Sequence, residues 1–168
     1  MIAAQATLPN LVQRTRSNHS LEHATVALLL QHMGPQLRVL GRSTPYGFYL
    51  YGDLPTHLVQ QFAHEALARL KGGESELAIS PFCGTNYATA GVLAGLGALL
   101  AVGDRNRWER LPRVLLAAIV GTLVGFSLGR EVQRHVTTSP HVAALHIARA
   151  DCVSEAPRTH YVGTTWAA

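Results

Sequence analysis

Two histidines and a glutamate stand within five residues of one another in the segment His19-Ser20-Leu21-Glu22-His23. Histidines four apart share one face of a helix, so both imidazoles can reach a single ion, and imidazole is the commonest side-chain metal ligand. Glu22 stands beside them, a carboxylate able to take a proton from water. A second element, SPFCGTN at residues 80–86, supplies Cys83 followed by Gly84. That pair gives a tight turn able to bring a thiolate to an ion already held by two imidazoles. Two histidines and one cysteine leave a fourth position for water, the arrangement that hydrolysis requires. The expected site is therefore Zn²⁺ on His19, His23 and Cys83, with Glu22 as general base. The same residues also fit a plainer reading, in which Glu22 complements the positive end of a helix dipole and Cys83 is a small buried filler.

The remaining candidates are weaker. His64-Glu65 lacks a second histidine, because Ala68 occupies its place, and reads as a helix surface pair. His135 and His141 flank VTTSP and could approach the same site, whereas Glu74 and Glu76 read as a solvated loop. His32, His57, His146 and His160 show no partner pattern, and the chain has no G-x-S-x-G, P-loop or dinucleotide fingerprint.

Positioning these residues requires an α+β domain. Ser17 is the expected N-cap of a first helix that runs to Met33 and stops at Gly34-Pro35. Strands are expected at 37–42 and 46–51 around a turn at Ser43-Thr44-Pro45, a helix at 55–71 closed by Gly72-Gly73, and a short strand at 76–80. This is a small α-β-β-α-β layer. Residues 143–153 and 160–165 read as a C-terminal β-hairpin joining the same sheet. The expected organisation is a tail at 1–16, the α+β domain at 17–80, a membrane hairpin at 84–130 and the C-terminal strands within 131–168.

The hairpin follows from hydropathy. No charged residue occurs between Pro81 and Gly103, and a second apolar run extends from Val114 to Gly129. The second run alone gives roughly 24 Å of helix, against a hydrocarbon core of about 30 Å. Beginning it at Leu111, with Arg113 snorkelling, brings it to roughly 28 Å. The linker DRNRWERLP, with Trp108 among alternating charges, suits an interface. Glycines four apart, Gly91 and Gly95, then Gly121, Gly125 and Gly129, form faces on which the hairpin is expected to pack on itself, dimerise or dock on a larger membrane complex.

Composition agrees with a bilayer partner. Of the 168 residues 48% are hydrophobic and only 14% charged, and one domain with a modest core is all that this length provides. The net charge of +4 comes from scattered arginines without interleaved aromatics, so no nucleic-acid partner is expected. Cys83 and Cys152 imply no disulfide framework. The N-terminus lacks the pattern of a secretory signal, and arginines are nearly balanced between linker and flanks. The expected location is the inner membrane, multi-pass, with both termini cytoplasmic.

Three resemblances bear on this reading. H-x-x-E-H resembles the inverzincin zinc-peptidase motif, which implies zinc on His19 and His23 and water activation by Glu22. HSLEHAT, GRSTPYGFYLYG, ISPFCGTN and HVTTSP together resemble a bacterial membrane-protein family known as a domain of unknown function, over about residues 18–164. That resemblance implies a membrane protein of photosynthetic and related bacteria and no particular activity. A more distant likeness is to another membrane family with H-x-x-E-H and H-P-R-C-G-T elements. His19, Glu22 and His23 match the first element and Cys83, Gly84 and Thr85 the second, with Ser80 where that family has a histidine. The expected function is an integral membrane metalloprotein, a zinc-dependent hydrolase at the membrane surface. The competing expectation is a non-catalytic accessory or assembly subunit of a larger complex.

Overall fold

The computed structural model describes residues 9–103 and 107–167, with the side chains of residues 107–109 outside that set. Residues 104–106 of the expected linker and residues 1–8 of the expected tail therefore lie outside the described residues, while the backbone of 107–112, expected as linker, is the start of a helix. The chain separates into two units, Met1–Ile79 with Thr138–Ala168, and Ser80–Thr137.

The first unit is α+β. Helix α1, Leu11–Met33, is followed by strands β1, Leu40–Thr44, and β2, Gly47–Tyr51, then by α2, Thr56–Lys71, and a 3-10 turn, Ser75–Ala78. The C-terminal strands β3, Leu145–Glu155, and β4, Arg158–Trp166, close the unit. The four strands form one antiparallel sheet in the order β1-β2-β4-β3. The C-terminal hairpin thus joins the N-terminal sheet by pairing β4 with β2, Tyr49 standing opposite Tyr161.

Alternation places Phe48 and Leu50 of β2, Val162 of β4 and Ala150 of β3 on one face, all buried. Leu21, Ala24, Leu28 and Leu29 of α1, with Val59, Phe62, Ala63 and Ala66 of α2, complete this core.

Two expectations are corrected here. Helix α1 begins near Asn10, whose side chain accepts from Gln13 N at 2.8 Å, so Ser17 is an interior helical residue and not the N-cap. Ser17, Asn18 and Ser20 look like a helix boundary because they are polar, but all are fully buried and bonded. The Ser17 hydroxyl donates to His141 O, Asn18 Nδ2 donates to Thr44 O at 2.9 Å, and Ser20 Oγ donates to Ser139 O at 2.8 Å. Residues 76–80 form no strand. Ser75–Ala78 closes a 3-10 turn, with Ile79 N donating to Glu76 O, and it packs on α1 away from the sheet ladder.

The second unit is a helical hairpin, α3, Gly84–Ala101, and α4, Arg107–Val132, ending in a π-turn, Gln133–Thr137. Glycine sets their approach. A Cβ on Gly121 would lie 2.4 Å from Leu93 O, one on Gly125 2.3 Å from Ala90 Cα, and one on Gly129 2.6 Å from Asn86 Oδ1. The glycine face of α4 is therefore buried against the α3 backbone, as expected for a hairpin that packs on itself. In α3 the corresponding residue is Gly97, against Ala117 O, whereas Gly91 and Gly95 meet nothing within 4 Å.

At the other end of the hairpin, Gln133 is fully buried and ties the chain together. Its Nε2 donates to Asn86 Oδ1 at 2.6 Å and to Ser80 O at 3.0 Å, while its Oε1 accepts from Ser80 N at 2.9 Å.

Among the described residues, one helix is long and apolar enough to cross a membrane, Arg110–Thr137, and only 6% of its most apolar stretch is buried. A helix in a soluble core would hide that surface. Helix α3 opens with Thr85, Asn86 and Tyr87, leaving from Ala88 onward roughly 21 Å of apolar helix, short of a core of about 30 Å.

Candidate metal centre

The first unit carries the imidazole pair. His19 and His23 lie one turn apart on α1, their ring centroids 4.2 Å apart and tilted by 57°. His23 is 5% exposed and His19 half-buried. The 3-10 turn orients the inner imidazole: His23 Nδ1 is 2.7 Å from Ala78 O. A carbonyl can only accept, so Nδ1 carries the hydrogen, which leaves Nε2 as the nitrogen that can offer a lone pair in the neutral ring. A backbone carbonyl fixing one nitrogen while the other takes an ion is the usual support for a histidine ligand.

Glu22 is tied to β1. Only 6% exposed, its carboxylate accepts from Ser43 Oγ at 2.5 Å and lies against Gly41 of β1, where a Cβ would overlap Oε1. The absence of a side chain at Gly41 is what gives this carboxylate room.

Cys83 belongs to the second unit, where it is buried and caps α3. Its Sγ accepts from Thr85 N at 3.4 Å and its thiol donates to Thr85 Oγ1 at 3.4 Å.

The other candidates occupy separate environments. His64 is exposed, and Glu65 pairs with Arg69 at 2.6 Å. His135 lies 3.3 Å from Glu131, and His141 Nδ1 lies 3.2 Å from Ser139 Oγ. Glu74 is 3.8 Å from Arg69. Ser80, where the second resembling family has histidine, contributes its backbone to the Gln133 network and its hydroxyl to Phe82 N.

Residue types alone pointed to the imidazole pair but gave no sign of its support, because the oriented acceptor is the backbone of Ala78 and an alanine carbonyl leaves no mark in a sequence. Ser43, with Thr44 expected in the turn, is instead a residue of β1, and its bond to Glu22 leaves no local mark in the sequence.

A family model described as Domain of unknown function (DUF6391) matches residues 14–150. The chain belongs to this family. An uncharacterized protein of Picosynechococcus sp. is 31% identical over 167 residues, covering 90% of this chain and 79% of that relative. The expected kinship with a bacterial family of unknown function thus holds, and the matched span of DUF6391 contains His19, Glu22, His23 and Cys83. No solved structure matches the chain.

Proposed function

We propose that the protein is an integral membrane metalloprotein in which His19, His23 and Cys83 hold one divalent ion. The observation that carries this reading is the close imidazole pair, half-buried His19 against buried His23, with His23 Nδ1 committed to Ala78 O. A histidine serving only as a helix surface residue has no need of that orientation.

Chain connectivity supports the third ligand. Ala78, fixed by His23, lies five residues before Cys83, a span of at most roughly 18 Å that the Ser80–Cys83 turn shortens. Two imidazoles and a thiolate match the preference of zinc for nitrogen and sulfur, and a three-ligand site retains a position for water. Zinc there would lower the pKa of that water and polarise a carbonyl or phosphoryl group, with Glu22 as proton acceptor for hydrolysis at the membrane surface.

Membrane insertion of both hairpin helices belongs to the same proposal. It is supported by the uncovered apolar surface of α4 and by Leu96, Leu99 and Leu100 exposed on α3. The shorter α3 is accommodated by modest local thinning of the bilayer. An inner-membrane location with cytoplasmic termini follows from the sequence expectations.

One observation favours the non-catalytic accessory reading. Glu22 is locked by Ser43 against Gly41, an arrangement that a purely structural carboxylate would share. The two readings separate in cobalt-substituted protein. Thiolate ligation gives a near-ultraviolet charge-transfer band that Cys83→Ser removes, and Glu22→Gln leaves the band in place while abolishing hydrolysis. A wild-type spectrum without the band, or with a band indifferent to Cys83→Ser, refutes the site. Hydrolysis unaffected by Glu22→Gln removes Glu22 as the base, and tight co-purification with a large complex, unaffected by Glu22→Gln, supports the accessory role.

A further inference from the structure

The apolar hairpin carries an open groove of about 730 Å³ between α3 and α4, at the end nearer their linker. Its floor is where small residues let the two backbones meet, Gly97 against Ala117 and Gly121 against Leu93. Its walls are Leu96 and Leu100 of α3 with Leu116 and Val120 of α4, each at least half exposed.

Among the described lining residues only Arg113 carries a charge. It is exposed and forms no ion pair among the described residues. A Cβ on Gly103 would lie 3.9 Å from Arg113 Nη1, so the guanidinium stands at the level where α3 has ended. From Arg113 to Val124 the groove follows three turns of α4, roughly 16 Å. That is half of a hydrocarbon core of about 30 Å, the depth of one leaflet.

A second groove, of about 720 Å³, lies at the opposite end of the hairpin and has similarly apolar walls. Its charged residue is Glu131, whose carboxylate already meets Arg134 at 3.2 Å and His135 at 3.3 Å. A carboxylate repels an anionic group, whereas the cation of the first groove attracts one. Charge therefore separates two grooves that apolar area alone would not.

We infer that the first groove is a specific site for a phospholipid with an anionic headgroup, which rests on the membrane reading of the hairpin. One acyl chain lies on the glycine floor between the leucine walls and reaches the bilayer centre near Val124, while the phosphate meets the Arg113 guanidinium at the membrane surface. Arginine suits this role, because its planar fork can donate two parallel N–H bonds to phosphate oxygens. A guanidinium that only sought water would reach it by snorkelling and would need no channel of one-leaflet depth leading from it. The groove gives affinity for an acyl chain, and Arg113 gives preference for an anionic head.

The test titrates the detergent-purified full chain with phosphatidylglycerol and with phosphatidylcholine of matched acyl chains, counting retained lipids by native mass spectrometry. One phosphatidylglycerol is expected to be held about fivefold more tightly than phosphatidylcholine, the order of a single arginine facing anionic lipid. Arg113→Gln should abolish that preference, whereas Arg42→Gln, which removes the same charge from an exposed position on β1, should keep it. Val120→Trp, which fills the groove, should weaken retention of both lipids; unchanged retention there overturns the inference. Equal retention of the two lipids by the wild type also overturns it, and that comparison needs no variant to fold. A preference that survives in folded Arg113→Gln does the same, as does a lipid-free dimer, which would show a second copy covering the groove. Protein that stays in the membrane pellet after an alkaline carbonate wash but shows no preference refutes the lipid site alone; protein released by that wash refutes the spanning hairpin as well.

Discussion

At His160 the depressed pKa translates into pH-dependent stability. The unfolded ring takes a proton near its ordinary value of 6.5, whereas the folded ring resists it because of burial and Arg158. The unfolded state therefore binds more protons below that value, and the contribution of His160 is fully present above it and lost as pH falls through the window beneath. Thermal midpoints measured from about pH 8 to about pH 5 should decline on the acid side, and a folded His160→Gln variant should decline less steeply. A second residue-scale expectation concerns Gly41. Alanine there would overlap the Glu22 carboxylate, so Gly41→Ala should cost about 1–3 kcal/mol in denaturant unfolding, the range for overpacking a filled site. Gly95→Ala, whose Cβ meets nothing, should leave stability unchanged.

Within the elements, Asn18 and the α4 glycines are decisive. Asn18 links α1 to both hairpins, donating to Thr44 O and accepting from Thr164 Oγ1 at 2.8 Å. Asn18→Leu should cost about 1–3 kcal/mol, because the fully buried amide's two bonds to half-buried Thr44 and Thr164 are lost; urea titration of the solubilised protein measures it. Gly121→Val, which drives a side chain into the Leu93 carbonyl, should separate α3 from α4 and lower the thermal midpoint in detergent, whereas Gly91→Val should not. This scale also explains how much of the fold was legible. The β1-β2 hairpin, α2 and the C-terminal strands announced themselves through alternation, proline and paired glycines. The start of α1 did not, because Ser17, Asn18 and Ser20 carry the polarity of a cap while serving as buried connectors to residues more than a hundred positions away in the chain, and no local pattern reveals that. The run at 76–80 alternates like a strand, yet five residues cannot override a 3-10 turn that packs on α1. Of the candidate site, the imidazole pair was legible from i,i+4 spacing, while Ala78 and Ser43 act through long-range placement.

For the molecule as a whole, an apolar helical hairpin is inserted in sequence between two parts of an α+β unit, with Cys83 just after the first boundary in the chain. His19 and His23 sit on the helix whose Leu21, Ala24, Leu28 and Leu29 build the core, so the fold stands on apolar packing and ligand loss should be separable from unfolding. The membrane reading is checked by an alkaline carbonate wash of cell membranes, after which the protein should remain in the pellet; release to the supernatant would contradict a spanning hairpin. The most direct measurement is elemental analysis by mass spectrometry of the detergent-purified protein prepared without chelator, for wild type, His23→Ala and Cys83→Ser, each shown folded by circular dichroism. Near-stoichiometric zinc in the wild type, lost in both variants, is the expected result. A folded wild type with no bound metal, or zinc retained in either variant, would contradict the proposed centre.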